Sequence, residues 1–324
     1  MVKILSAGSY IPEQIITNRD IANCFYTDFD LEEWIVDKTG ILERRKSNLK
    51  PSDQAVIAAK RAIHNYSGKI DFIIVNTFFG DYTLPQTATI IQQKLGLDDA
   101  FAIEINMPCA GPIYSMAMTS MFIKSKKYKA GLLIGVDKML DLVDPDDYLM
   151  NSLFGEGAGA LLLIEDSSSG IVDFFLGSSL DEKEDEQYSL RVLGGKAVYP
   201  IETYDKNSKN HYLLMEGREV KHFILEKLNE SIDWIISKHL NSVHEIDYVI
   251  THQANKVVTE KCLVDREIPK DKILTTVEFL GNTGSASIHI TISEHFSKFE
   301  EKNKNILICG MGGGLTWGAV YYRS

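Results

Sequence analysis

The chain has 324 residues, 44% of them hydrophobic and 24% charged, with a formal net charge of −11. That suffices for one large or two modest soluble domains, and the negative balance argues against general nucleic-acid binding. No apolar run approaches the roughly 18 residues of a membrane-spanning helix.

Met1-Val-Lys-Ile-Leu-Ser-Ala-Gly8 reads as a first strand rather than a signal peptide. Asp30-Leu-Glu-Glu33 fits a capping box that opens a helix carrying Trp34 and ending near Gly40. Ser52 is the expected cap of a second helix through Ala55, Val56, Ala59 and Ile63. Phe101–Asn106 reads as a strand, and Pro112 as the first turn of a helix over Ile113–Ile123. Cys109 falls at the turn between them, where free N–H groups and a helix dipole favour thiolate over thiol. A small buried hydrophobe is the other reading of a free cysteine. The four cysteines (Cys24, Cys109, Cys262, Cys309) are far apart and lack a Cys-x-x-Cys. No disulfide framework or metal site is indicated, and a cytoplasmic setting is expected.

A duplication runs beneath this alternation of strands and helices, the signature of an α/β protein. Ile70-Asp-Phe-Ile-Ile74 recurs as Ile246-Asp-Tyr-Val-Ile250, and the Leu133-Ile-Gly135 pattern recurs near Leu307–Gly310. The shared offset carries Cys109 onto Gly284, inside a second polar turn, Gly281–Ser287, before another helical run. The charge-rich run 181–186 reads as a solvated loop between the halves. His252 follows the apolar strand Tyr248–Ile250, a position that suits either a structural or a functional histidine. Asn282 is by default a turn residue. Gly310–Gly318 lacks the Gly-Lys-Ser/Thr ending of a phosphate loop, and its glycines can bring a backbone N–H close to a bound carbonyl.

Taken together, Cys109 with Ala-Gly, His252 in His-Gln-Ala-Asn, Asn282 in Gly-Asn-Thr-Gly-Ser-Ala-Ser and the terminal Gly-Gly-Gly-Leu-Thr-Trp-Gly resemble the thiolase-fold condensing enzymes. The closest family is β-ketoacyl-acyl carrier protein synthase III. Glu33–Val36, Thr39–Ile41, Glu43–Arg45 and Phe154–Ala160 extend the likeness over the whole chain. The resemblance implies duplicated βαβαβαββ halves in an α-β-α-β-α layering, with residues 1–170 bearing the cysteine and 171–324 the histidine and asparagine. It also implies a homodimer that uses acyl-CoA or an acyl carrier protein and needs no cofactor or metal.

In that reading Cys109 takes an acyl group from a thioester while its own N–H and that of Gly313 bind the oxyanion. His252 and Asn282 then hold the enolate formed when a malonyl thioester loses CO₂, and the carbanion attacks acyl-Cys109 to give a 3-oxoacyl thioester. The other bacterial class of synthase has a second histidine where Asn282 stands. Thiolases have a second catalytic cysteine, whose spacing Cys309 does not match.

The expected substrate-binding residues are Trp34, Lys38, Leu84, Tyr148, Gly217, Lys221 and Asn255, and several depart from the family. Tyr148 follows Asp144-Pro-Asp-Asp147 where an arginine commonly stacks on the CoA adenine opposite Trp34, so adenine stacking survives with one charge fewer. Lys38 replaces an arginine. Lys221 stands where an aromatic usually lines the pantetheine tunnel, and Val257 where an arginine docks the carrier. Arg218, Lys221, Lys256 and Lys261 are left to form a smaller basic patch. Leu84 replaces a phenylalanine that enters the partner's acyl pocket, which predicts room for longer or branched chains and a specialised pathway. The alternatives are acyl transfer to a hydroxyl or amine without decarboxylation, and a catalytically silent acyl-binding subunit.

Overall fold

The computed structural model describes residues 1–180, 188–200 and 209–324. The charged run 181–186 therefore lies outside the described residues.

Two five-stranded sheets share one topology. In the first, the order is Val2–Tyr10, Gly157–Glu165, Ala130–Asp137, Phe72–Asn76 and Phe101–Ile105. The first three are joined antiparallel, and the third, fourth and fifth are joined in parallel. The second sheet repeats this order as Gly170–Ser178, Thr316–Arg323, Asn305–Gly312, Tyr248–Thr251 and Ile273–Leu274, with the same pairing senses. Phe72–Asn76 and Ala130–Asp137 are buried along their whole length. Their continuous apolar runs are what a sheet covered on both faces requires.

Two helices lie between the sheets. Gly111–Lys124 buries Pro112, Ile113, Ser115, Met116, Ala117, Thr119, Ser120 and Ile123, on all sides rather than along one stripe. Ser287–Glu294 buries its first six residues. Both join a single core in which Ile4, Phe72, Ile74 and Leu133 of one sheet share a cluster with Ile250, Ile306, Ile308 and Val320 of the other. Outside the first sheet packs Pro51–Ile63, whose buried Ala55, Ala58, Ala59 and Ala62 allow close approach. Outside the second packs Gly217–His239, through Phe223, Ile224, Leu228, Ile232 and Ile235. The layering is α-β-α-β-α.

Local signals hold with two corrections, the first being that Glu33 returns no bond to Asp30, so the expected capping box is only half formed. Asp30 caps Leu31–Thr39 by accepting from the Glu33 N–H, and Gly40 closes that helix with φ +73°. Ser52, however, is not a cap. Pro51 already occupies the first turn, so the helix begins two residues earlier, with Lys50 at the cap position. Ser52 instead gives its backbone N–H and its hydroxyl to the Asp81 carboxylate.

Candidate active site

The catalytic candidates sit at the ends of strands where the two halves meet. Cys109 follows Phe101–Ile105 and precedes the central helix Gly111–Lys124. Its φ of 62° lies in the left-handed region, at a cost of roughly 1–3 kcal/mol for a side chain with a Cβ. Gly312 makes room for it: a Cβ there would lie 2.3 Å from the Cys109 Cβ and 2.9 Å from its sulfur. The Gly313 N–H, from the same hairpin, donates to the Cys109 sulfur.

His252 leaves the end of Tyr248–Thr251, and its N–H donates to the Cys309 carbonyl at 2.8 Å. Its Nδ1 lies 2.7 Å from the Ser287 Oγ. Gln253 braces the turn: its Oε1 accepts from the Thr275 hydroxyl and the Thr276 N–H, and its Nε2 donates to the Thr251 carbonyl. Asn282 is held by its own N–H to the Leu153 carbonyl and by its carbonyl to the Gly155 N–H. Its Oδ1 accepts from the Gly284 N–H at 3.0 Å. The amide oxygen is thus engaged inside the turn, leaving the NH₂ as the group free to donate to a ligand.

These segments surround one cavity of about 300 Å³, lined by Cys109, His252, Asn282 and Gly313 among others. Its apolar wall includes Phe78, Met139, Phe154, Leu213, Met215 and Ile224. Methionines on such a wall adapt to varied apolar shapes.

The electrostatics correct one expectation. Cys109 was expected to rest as thiolate, yet burial first and the nearby Asp137 carboxylate second push its thiol up to about 12, against the Gly313 N–H. Burial also holds His252 down to about 4. At neutral pH the site therefore contains a thiol and a neutral imidazole.

Asp137 was not singled out from sequence. Its Oδ1 accepts from Thr77 Oγ1 and the Phe78 and Phe79 N–H groups, and its Oδ2 from the Ser285 N–H. It ties the Asn282 turn to the first half. Arg44 does similar work below: fully buried, it donates to Asn18 Oδ1 and to the Ser152 carbonyl, and burial lowers it to about 10.

The expected substrate-binding residues fall around the site rather than in it. Trp34 and Tyr148 meet edge to face, with centroids 6.0 Å apart and planes at 76°. Phe29 touches both. In this arrangement no slot separates the two rings, so a stacked adenine does not fit between them as the sequence suggested. Asn255 caps the helix Lys256–Asp265 through the Val258 N–H and donates to the Lys38 carbonyl. Gly217 begins the helix Gly217–His239, but Val220 and Ile224 line the cavity from it, while Lys221 is exposed. Leu84 is 79% exposed and lines no part of the cavity.

Half of the basic patch is neutralised. Lys256 pairs with Glu278 and Glu260, and Lys261 with Asp265. Lys38, Arg218 and Lys221 make no ion pair among the described residues. Val36, Leu42, Val257 and Val264 stand exposed along the groove that Lys256 and Lys261 also line.

Two matched sheets and a cysteine at the helix start between them place this protein among the thiolase-fold condensing acyltransferases. The model of the 3-oxoacyl-[acyl-carrier-protein] synthase III C-terminal region matches residues 236–324, and the companion 3-oxoacyl-[acyl-carrier-protein] synthase III model matches residues 103–179. A β-ketoacyl-[acyl-carrier-protein] synthase III of Geobacillus kaustophilus is 35% identical over 99% of this chain and 98% of its own. One from Bacillus pumilus is 36% identical over the same shares. The crystal structure of 3-oxoacyl-[acyl-carrier-protein] synthase III from Aquifex aeolicus superposes with a TM-score of 0.87 at 30% identity, covering both chains completely. The chain belongs to the 3-oxoacyl-[acyl-carrier-protein] synthase III family, and its activity is that of a condensing acyltransferase. No helix among the described residues is long and apolar enough to cross a membrane.

Proposed function

We propose that Cys109 carries the acyl group and that His252 and Asn282 hold the enolate of the extender. The observation that carries this reading is the convergence of Cys109, His252, Asn282 and Gly313 on one largely apolar cavity. In the first half-reaction the Cys109 sulfur bonds to the acyl carbonyl carbon, the bond to the departing sulfur breaks, and the thiol proton ends on that sulfur. The oxyanion of the tetrahedral state accepts from the Cys109 and Gly313 N–H groups.

In the second, the malonyl C–C bond breaks to release CO₂, and its electron pair becomes an enolate held by His252 and Asn282. The enolate carbon then attacks acyl-Cys109. The C–S bond breaks, and the Cys109 thiolate recovers a proton from water. Only protons and electron pairs move between named groups, so the substrates are thioesters and no cofactor takes part.

A homodimer fits the open edge of the first sheet at Phe101–Ile105 and the exposed Leu84 loop. The carrier is a protein or CoA, reached in the cytoplasm. Incubation with an acyl-CoA panel and malonyl-carrier tests the reading. Cys109 gains the acyl mass, a 3-oxo product two carbons longer forms, and Cys109→Ala abolishes both. Loading without the longer product would instead indicate transfer to a hydroxyl or amine.

A further inference from the structure

Ser287 is a turn residue that the reaction just described does not use, yet it is the partner of a residue that it does. It is buried, opens the central helix Ser287–Glu294, and presents its Oγ 2.7 Å from His252 Nδ1. A second group reaches the same oxygen: the Gln253 backbone N–H, at 3.4 Å. A backbone N–H can only donate, so the serine oxygen accepts there. The hydroxyl proton then has one place to go among the described neighbours, the lone pair of Nδ1. Nδ1 is therefore the acceptor, and the single ring proton of the neutral imidazole sits on Nε2. The reverse tautomer would put two donors on the serine oxygen and leave its own proton without a partner in a buried site.

A second buried histidine supplies the contrast. His289 Nδ1 faces the Ser285 carbonyl at 3.3 Å. A carbonyl oxygen can only accept, so His289 carries its proton on Nδ1. Two histidines on adjoining segments, each almost wholly buried, are thus set in opposite tautomers by the type of oxygen each meets.

We propose that Ser287 is a positioning residue that holds His252 as the Nε2–H tautomer, making it a hydrogen-bond donor to the enolate of the decarboxylative half-reaction. Asn282 belongs to the same turn and is set in the same sense, its oxygen occupied by Gly284 and its NH₂ left to donate. One turn therefore prepares both donors before the extender arrives, and neither group has to reorganise as charge develops. The inference rests on the proposed function for its consequence, but the tautomers themselves can be read independently.

Nitrogen-15 NMR of the intact enzyme labelled at histidine gives that reading directly. The expected result is a His252 ring protonated at Nε2 and a His289 ring protonated at Nδ1. A His252 ring protonated at Nδ1 overturns the inference whatever the enzyme catalyses. Ser287→Ala supplies the kinetic arm. Condensation of pre-acylated enzyme with a malonyl thioester in a single turnover falls about 10–100-fold, the size of loss known for the hydrogen-bond partner behind a metal-ligating histidine. Loading of Cys109 from acyl-CoA stays within about threefold, which also shows that the variant is folded. Equal loss in the two half-reactions would assign Ser287 a merely structural role and refute the proposal. An unmodified enzyme that never loads Cys109 would refute the proposed function instead, with the ring tautomers still readable.

Discussion

The interior of the site and the rim around it are built to different rules. Inside, Asn282 Oδ1 is taken by the Gly284 N–H of its own turn, while His252 Nδ1 and both Asp137 oxygens have partners on turns from distant parts of the chain. At the rim, Lys256 and Lys261 bond neighbouring acids, and Trp34, Tyr148 and Phe29 close on one another. The interior spends its polar groups on orientation, while the rim spends its charge on itself. Pairs at a half-exposed rim contribute little stability, whereas the buried bonds of the interior fix its side chains.

The largest expected effect tests the interior. Asn282→Ala removes one of two enolate donors and lowers the single-turnover condensation rate by about 10²–10³-fold. Loading of Cys109, followed by intact mass, changes little. A comparable loss in loading would show that the turn, rather than the amide, had been destroyed.

Next comes the response of stability to acid. His252 and His289 are both held down to about 4 by burial, against an ordinary 6.5. Between those values the unfolded chain binds the protons that the folded one refuses, so stability falls as pH drops from about 6.5 to about 4. Each histidine contributes roughly 3 kcal/mol to that fall. Denaturant melts across this window check it, and His289→Gln should remove about half of these two residues' slope. A flat profile in the unmodified protein would mean that the rings are hydrated.

The thiol is read by its own chemistry. With Cys109 near 12, iodoacetamide alkylation speeds up about tenfold for each pH unit from 7 to 10, without a plateau. A plateau near pH 7 would restore the thiolate expected from the sequence. The smallest effect belongs to the rim. Raising salt from about 0.05 to 0.3 M changes the KM for the carrier by less than about threefold, because Lys256 and Lys261 are paired and few cations are left to steer. A steep salt dependence would point to Lys38, Arg218 and Lys221 as a working patch.

Cys109, His252 and Asn282 are legible because each is a chemistry-bearing residue in a short motif at a strand end, and because the repeat aligns two of the turns. Ser287 and Asp137 are not, since serine and aspartate are ordinary turn residues. Their partners lie 35 and 148 positions away, at His252 and Ser285. Lys221 illustrates a different limit. Val220 and Ile224 stand four apart on the face that lines the cavity, which turns their neighbour Lys221 outward. The period was readable, but the face that meets the cavity is set by packing against the second sheet. Asn255 likewise follows the His-Gln-Ala motif, and its side chain is taken by the start of the next helix.

The hairpin glycine beside the sulfur has a last implication. Position 312 carries no side chain, and a single methyl group there would overlap the space in which Cys109 and its acyl adduct must sit. Gly312→Ala would therefore push Cys109 itself aside, taking the sulfur out of line with His252 and Asn282. Reactivity at this cysteine is granted by an atom the protein leaves out.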